Sequence, residues 1–282
     1  MAAPLSFRLL RAYAAVAPTE RGGFRLARLA RKLVPRQRWN GRFAVGGLTF
    51  GLDLATYPDV AMAGGVYELD TLRVLQRRLR PGVTFVDGGA NLGYFTCHAA
   101  AWGARVVAVE PDPVNRQRLT ENLSANGLAD AVDVRPVALA DDPGTATFHR
   151  PLRTGRANHG ESGRFPRDGV PTEPFEVKLR RLDDLLADPP ELVKLDLEGS
   201  ETLAARGASG WFGRGGPPAW VVEHGPDAVA RVGGRPGDVW RTLREFEPAY
   251  RCRFIGRRRA FASPEEMDGF ARQGNVLIAL DA

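Results

Sequence analysis

Hydrophobic and polar positions alternate in two rhythms in the middle of the chain. Short apolar runs at residues 83–88, 105–109 and 132–142 each end in turn residues, which is typical of buried strands. Longer stretches at 93–103 and 113–127 have helical character and end at Gly103 and Asn126-Gly127. This β-α-β-α-β order predicts an α/β fold, with a mostly parallel, twisted sheet and helices on both faces.

The same rhythm returns after a polar interruption. Residues 149–174 are rich in glycine and proline and predict a long loop of functional or disordered character. An edge strand and a short helix are predicted over 175–186. Further strands are predicted at 191–199, 219–225, 250–256 and 274–282, with helices at 200–208 and 238–249.

The first 45 residues follow a different pattern. Leu26, Leu29, Leu33 and Val34 recur at helical spacing between arginines, and residues 1–45 carry ten basic groups against one acid. We therefore predict a basic helical extension over 1–45, followed by one domain over 46–282. The simplest interpretation of the basic extension is a solvent-exposed helical face packed beside that domain. The alternative is contact with an acidic partner, nucleic acid or a membrane surface.

Residues 43–54 predict a short hairpin and residues 66–79 a helix. The composition, with 282 residues and 44% hydrophobic side chains, allows a large core. Two cysteines are too few for a disulfide framework, so a reducing, cytoplasmic location is expected. No run of 18 apolar residues occurs, so no transmembrane segment is expected.

The turn "DGGANLG", at residues 87–93, is the first candidate for chemistry. Glycines there let the backbone approach a ligand closely, at the strand ends where open α/β sheets bind ligands. The dinucleotide fingerprint fails because Ala90 stands where its second glycine is needed, and the chain has no P-loop. A carboxylate at Asp87 suits S-adenosylmethionine, whose ammonium and sulfonium are positive. Glu110, after the second strand, suits a ribose in this cofactor or in NAD, so a dehydrogenase stays a distant alternative.

Five segments in order then resemble the FkbM family of S-adenosylmethionine-dependent methyltransferases. They are "FVDGGANLGYFT", "VVAVEPDPVNRQRLTENLSANGL", "VALADDPGTATF", "LDDLL" and "VKLDLEGSETLAARGA", within about residues 67–223. The resemblance implies a class I, Rossmann-like methyltransferase fold. It also implies O-methylation of sugars or other secondary-metabolite hydroxyls. Gly88 departs from the family pattern, which more often has a β-branched residue there.

Candidate cofactor ligands follow from these motifs. The methionine part is assigned to the first turn and the ribose to Glu110. Asp112 either contacts the cofactor or caps the next helix, and the adenine is placed against residues after the third strand, whose alternative role is core packing. The predicted cofactor-binding residues are Asp87, Gly89, Ala90, Asn91, Gly93, Glu110, Asp112, Leu139, Ala140 and Asp196.

Candidates for catalysis lie after the fourth and fifth strands. Removing a proton from a hydroxyl benefits from a base, for which we predict His224 together with Asp196. Glu198, Glu223 and His159 are predicted to contact the substrate, His159 if the long loop forms a lid. Mg²⁺ held by Asp196 and Glu223 is an alternative that is not favoured, so no metal is expected.

The sequence thus predicts a methyltransferase acting on a small-molecule hydroxyl acceptor. An RNA methyltransferase is one alternative, suggested by the basic flanks, although no RNA-binding module is recognisable and nucleic acid is not the expected partner. A cofactor-binding scaffold without turnover is another. Oxygen against nitrogen as the methylated atom, and the oligomeric state, stay open.

Overall fold

The computed structural model describes residues 5–16, 23–152, 162–164 and 169–282. The chain begins with helices α1 (Leu5–Val16) and α2 (Gly23–Lys32), followed by a hairpin of β1 (Asn40–Val45) and β2 (Leu48–Asp53). Helices α3 (Asp59–Ala63) and α4 (Leu69–Arg78) come next. The predicted hairpin and the helix before the first buried strand are confirmed, whereas α3 was missed because five residues are too few to show a period.

The predicted β-α-β-α-β core is confirmed. It consists of β3 (Thr84–Gly88), α5 (Tyr94–Ala101), β4 (Arg105–Val109), α6 (Pro113–Ala125) and β5 (Val132–Arg135). The three strands are parallel and adjacent, with β4 between β3 and β5.

The predicted third strand is shorter than expected because Pro136 interrupts it. The chain leaves the central sheet there and forms β6 (Ala138–Leu139), β7 (Gly144–Pro151) and β8 (Thr172–Arg180), a separate sheet in the order β6-β8-β7. Residues 149–151 and 172–174, predicted as loop, are therefore strand, and β8 is central rather than an edge. Residues 153–161 and 165–168 of the predicted loop lie outside the described residues.

The second half continues with α7 (Leu182–Leu185), β9 (Leu192–Leu195), α8 (Glu201–Arg206), α9 (Ser209–Phe212) and β10 (Ala219–His224). It ends with α10 (Pro226–Arg231), α11 (Asp238–Phe246), β11 (Arg251–Phe254), β12 (Arg259–Phe261), α12 (Pro264–Asp268) and β13 (Gly274–Ala279). The central sheet has the order β12-β11-β13-β10-β9-β3-β4-β5. Strand β13 is antiparallel to both of its neighbours, whereas β9 is parallel to β3 and to β10. This is the class I, Rossmann-like arrangement, and its order reverses between β3 and β9.

Alternate residues of the central strands enter two separate cores. Phe85 and Val106 belong to one core, which also holds buried residues of α1, α2, α5 and α6. Val86 and Val107 belong to the other, with residues of α8, α9 and α11. The period of two in the strands thus places helices on both faces, as predicted.

The N-terminal helices share the first of these cores. Phe7 and Leu10 of α1, and Ala27 and Ala30 of α2, are buried in it. The boundary at residue 45 stays a prediction. Both cysteines are buried and unbridged. Among the described residues, no helix is long and apolar enough to cross a membrane.

Candidate functional site

A pocket of about 790 Å³ opens at the carboxyl ends of β3, β4 and β9. This is the edge of the sheet at which the strand order reverses, and such crevices bind ligands in open α/β sheets. We call it the cofactor pocket. Its walls come from residues 89–92, 109–111, 137–139 and 194–198, together with side chains before β3 and in the small sheet.

The turn after β3 lets the backbone come close to β9. Gly89 has a φ of 75°, and a Cβ there would overlap the backbone oxygen of Asp196. Glycine is required on both counts. Gly93 is also left-handed and begins α5, but it does not line the pocket, because Leu119 packs against the space beside it.

Asn91 presents a polar atom that has no partner. Its φ is 52°, and its backbone N–H donates to Glu110 Oε2 at 2.7 Å. The side-chain Oδ1 is buried, and no donor among the described residues reaches it. Because a buried acceptor without a partner is costly, Asn91 Oδ1 is suited to a hydrogen bond from a ligand.

Glu110 stands at the end of β4 and lines the pocket. The carboxylate is 4% exposed, and its Oε1 accepts the backbone N–H of Asp112 at 2.9 Å. Burial raises the pKa of Glu110 to about 7. An ionised carboxylate held by two main-chain donors still has lone pairs for ribose hydroxyls.

Asp87 lies beneath the turn, outside the pocket lining. It is fully buried, accepts the Thr96 hydroxyl at 2.6 Å and lies 3.6 Å from Lys194 Nζ. The cofactor contact expected of Asp87 from the sequence stays a prediction. The carboxylate ties β3, α5 and β9 together under the turn.

For Asp112 the structure supports the helix-cap alternative. Its Oδ1 accepts the backbone N–H of Val114 at 2.8 Å at the start of α6. Its Oδ2 accepts Arg150 Nε and the Ser162 hydroxyl, both at 2.7 Å. Asp112 is fully buried and does not line the pocket, so it fastens the small sheet to α6.

The apolar wall lies where the adenine is expected. Leu139 lines the pocket with Val137 and Phe148, whereas Ala140 lies outside the lining and its N–H donates to the Arg180 carbonyl. The crowded surroundings of residue 88 explain why glycine stands there in place of the family's β-branched residue. A Cβ on Gly88 would lie 2.9 Å from Leu139 Cδ1.

A buried lysine joins the ends of β3 and β9. Lys194 is 1% exposed, and its Nζ lies 3.3 Å from Asp196 Oδ2 and 5.0 Å from the centre of the Phe95 ring. Burial opposes its charge, but the carboxylates of Asp196, Asp87 and Glu68 outweigh burial and hold the pKa of Lys194 above its usual value. Asp196 itself lines the cofactor pocket, as predicted for a rim carboxylate.

A second pocket of about 1210 Å³ lies beside the first, and we call it the acceptor pocket. Tyr67 lines the cofactor pocket and its neighbour Glu68 lines the acceptor pocket. Glu68 has a φ of 43° and accepts Asn275 Nδ2 at 2.6 Å. Burial, and then Asp196, raise the pKa of Glu68. Asn275 Oδ1 is buried, with no donor among the described residues.

Sequence reasoning missed Tyr67, Glu68 and Asn275. Glu68 and Asn275 are far apart in the chain and join through the fold alone. A non-glycine residue with positive φ signals strain at a functional position, but that signal is visible only in the structure.

The other predicted substrate residues divide between the pockets. Glu198 lines the cofactor pocket, has a φ of 54° and lies 3.3 Å from Arg231 Nη2. Glu223 lines the acceptor pocket and accepts Gln273 Nε2 at 3.0 Å. Burial, followed by Asp196 and Glu198, raises the pKa of Glu223 well above its usual value. His159 lies outside the described residues.

His224 is not part of either pocket. It is 1% exposed, packs against Phe254, Phe261 and Phe270, and has Nε2 2.7 Å from the Phe270 carbonyl oxygen. Burial lowers its pKa. The geometry does not support the predicted role as general base, because alternation along β10 turns His224 to the opposite face from Glu223.

The described residues contain no group of three or more His, Cys, Asp or Glu that could hold a metal ion. Asp196 lines the cofactor pocket and Glu223 lines the acceptor pocket, and the alternative Mg²⁺ pair stays a prediction.

The sequence pattern of the methyltransferase FkbM domain matches residues 87–248, more than half of the chain. A ribosomal protein L11 methyltransferase from Pelotomaculum thermopropionicum is 34% identical over 115 residues, or 39% of this chain and 36% of that protein. The chain thus spans about a third of this curated relative.

Solved structures are similar at lower identity. Methyltransferase FkbM from Methylobacillus flagellatus KT has a TM-score of 0.46 and 17% identity, covering 76% of this chain and 59% of that chain. TYW2 from M. jannaschii, in complex with AdoMet, has a TM-score of 0.46 and 14% identity over 87% of each chain.

Proposed function

This chain belongs to the FkbM family of S-adenosylmethionine-dependent methyltransferases, and we propose that it methylates a hydroxyl of a small molecule. The proposal rests chiefly on one observation. The carboxylate of Asp196 lines the cofactor pocket, and after burial its charge is the next largest cause that raises the pKa of Glu68 and Glu223 in the adjoining acceptor pocket. A group at this junction can meet both a cofactor and an acceptor.

The cofactor pocket has the donors and acceptors that S-adenosylmethionine requires. Asn91 Oδ1 is free to accept from the ligand, and Glu110 offers its carboxylate to the ribose. Leu139 and Phe148 offer apolar surface to the adenine. When bound, S-adenosylmethionine supplies an electrophilic methyl group on its sulfonium.

Asp196 then accepts the proton of the acceptor hydroxyl. An alcohol is a poor nucleophile while it keeps its proton, so a carboxylate in hydrogen-bonding reach lowers the barrier. Lys194 Nζ lies 3.3 Å from Asp196 Oδ2 and holds this carboxylate at the edge of the pocket. Of the two predicted catalytic residues, we assign this role to Asp196 and not to His224.

The acceptor pocket suits a hydroxylated small molecule. Glu68 and Glu223 offer carboxyl groups, and Asn275 Oδ1 is an acceptor without a protein partner. Tyr57 and Phe254 supply ring surfaces. Closely spaced polar groups of this kind orient hydroxyls on a compact ligand, and a concave pocket fits such a ligand better than it fits a folded RNA.

We also propose that the enzyme works in the cytoplasm. Cys97 and Cys252 are both buried and unpaired. Chains that work in oxidising compartments more often use their cysteines as bridges.

Transfer of a labelled methyl group tests the function. Purified protein with methyl-labelled S-adenosylmethionine is offered a panel of sugars, cyclic polyols and phenols, with total RNA and a bacterial protein extract in parallel. We expect label on a small-molecule hydroxyl, seen as an O-methyl signal by NMR. The Asp196→Asn variant should lose turnover by roughly 100-fold or more while binding S-adenosylhomocysteine normally.

Other outcomes would contradict the proposal. Label on RNA would favour the RNA methyltransferase alternative. Label on protein would show that the acceptor is a protein and not a small molecule. Tight binding of S-adenosylhomocysteine without transfer to any acceptor would favour the scaffold without turnover. An Asp196→Asn variant with full activity would remove the proposed base.

A further inference from the structure

The N-terminal helices bury small residues and expose large ones. On α2 the inward side consists of Gly23, Ala27 and Ala30. The leucines of the same segment face outward, with Leu29 56% exposed and Leu33 77% exposed. This is the reverse of an ordinary surface helix, which turns its large apolar residues to the core.

Helix α1 packs against α2 and also exposes leucines. Leu5 is 68% and Leu9 64% exposed, while Phe7 and Leu10 pack inward, and α1 contacts α2. Clustered exposed leucines are uncommon on monomeric soluble proteins, whereas single ones are normal. We call this surface the N-terminal face: Leu5, Arg8, Leu9, Arg25, Leu26, Arg28, Leu29, Lys32 and Leu33.

Exposed cations lie between these leucines. Arg8, Arg25, Arg28 and Lys32 are exposed, and none forms an ion pair with any acid in the described part of the chain. Residues 5–16 and 23–45 contain no Asp or Glu at all. Arg28 also lies over the Phe24 ring, with its guanidinium carbon 5.8 Å from the ring centre.

We propose that the N-terminal face docks on an anionic lipid bilayer. Interleaved leucines and cations match the two layers of a membrane surface, since the leucines enter the acyl boundary while the cations stay among anionic headgroups. RNA would satisfy the cations but leave the leucines in water. A second copy of this chain would bring like charges together.

The face also has a defined relation to the acceptor pocket. The ring centres of Phe24 and Tyr57 lie 4.6 Å apart in an edge-on contact, and Tyr57 lines the acceptor pocket. A Cβ at Gly23 would lie 2.9 Å from Val66 Cβ, so α2 is packed closely against the segment before Tyr67. Docking therefore holds the acceptor pocket next to the membrane. Docking itself does not depend on the proposed acceptor.

Co-sedimentation with vesicles tests the proposal. We expect the full chain to sediment with phosphatidylcholine vesicles that contain phosphatidylglycerol and to stay in solution with phosphatidylcholine alone. The variant Arg25→Gln/Arg28→Gln/Lys32→Gln should lower the partition coefficient on the order of 100-fold. The variant Leu26→Gln/Leu29→Gln/Leu33→Gln should remove the binding that persists at high salt.

Matched variants separate a local surface from general charge. Arg77→Gln/Arg80→Gln/Arg206→Gln removes the same charge from exposed positions elsewhere, and Leu280→Gln changes an exposed leucine far along the chain. Both should sediment as the wild type does. Unchanged binding of S-adenosylhomocysteine shows that each variant is folded.

Three results would overturn the proposal. The first is no sedimentation with anionic vesicles. The second is equal loss in the matched variants. The third is a different partner without any vesicle binding. That partner would be RNA, bound in a salt-dependent way, or a second copy of the chain in a dimer that the leucine variant dissociates.

Discussion

The two pockets of this site are built from different materials. The cofactor pocket is fixed by backbone: Gly89 approaches β9 closely, and Glu110 holds two main-chain N–H groups. The acceptor side depends on ionisable side chains, since burial and then the charge of Asp196 raise the pKa of both Glu68 and Glu223. The cofactor pocket should therefore respond to changes of shape and the acceptor side to changes of charge.

Lys194 connects the two sides, so its removal should have the largest effect. Lys194→Met leaves the buried carboxylate of Asp87 and the partly exposed carboxylate of Asp196 without a cation, which should cost about 3–5 kcal/mol in the free energy of unfolding. Urea denaturation measures the loss. Lys178→Met, at an exposed lysine, should stay within about 0.5 kcal/mol of wild type. Equal losses of stability in both variants would contradict the proposal that Lys194 holds the two carboxylates together.

Gly89→Ala tests the shape of the cofactor pocket. The added methyl overlaps the Asp196 carbonyl and the φ of 75° is strained, so we expect a loss of about 2–3 kcal/mol and no measurable binding of S-adenosylhomocysteine. Gly47→Ala is the matched control, with a φ of 85° and nothing within 4 Å of its Cβ. It should lose only about 1 kcal/mol and bind normally. Normal binding by Gly89→Ala would refute the close approach.

Asn275→Leu tests the acceptor side alone. Without the hydrogen bond from Asn275 Nδ2, Glu68 loses the partner that holds it, and turnover should fall roughly 100-fold. Binding of S-adenosylhomocysteine should not change. Thr71→Val, which removes the longer hydrogen bond from Asn275 at 3.0 Å, should have a smaller effect. A parallel loss of cofactor affinity would show that the two sides are not separable.

The pH dependence of Glu110 is the smallest expected effect. Only its ionised form accepts from the ribose without losing a main-chain partner, so affinity for S-adenosylhomocysteine should fall about tenfold per pH unit below about 7. In the ligand-free chain the raised pKa means that ionisation costs stability. The contribution of Glu110 to the free energy of unfolding is fully present below pH 4.5 and is lost as the pH rises through about 7. Calorimetry and thermal unfolding between pH 5 and 8 measure these opposite trends, and Glu110→Gln should flatten both.

The parts of the site that the sequence predicted are those built by neighbouring β-α units. Asn91 and Glu110 follow consecutive strands, so strand ends alone place them at one edge of the sheet. Burial was harder to foresee. Asp87 lies at the end of β3 and Asp112 follows β4, but they point beneath the turn and into the small sheet, because Thr96, Lys194 and Arg150 bind them there.

The acceptor pocket could not be predicted in the same way. Glu68 and Asn275 meet only because β13 returns antiparallel beside β10, next to the start of α4. His224 lies outside both pockets because consecutive side chains of a strand point to opposite faces. Its neighbour Glu223 lines the acceptor pocket instead. A strand end shows which edge a residue reaches, but not which face its side chain takes.

The most direct measurement is titration calorimetry with S-adenosylhomocysteine, with NAD in parallel, on wild type, Asn91→Ala/Glu110→Ala and Asn275→Leu. If the cofactor and acceptor sides are separate, S-adenosylhomocysteine should bind tightly to wild type and to Asn275→Leu. The double variant should lose this binding, and NAD should not bind. Binding of NAD, or equal weakening in both variants, would contradict the account.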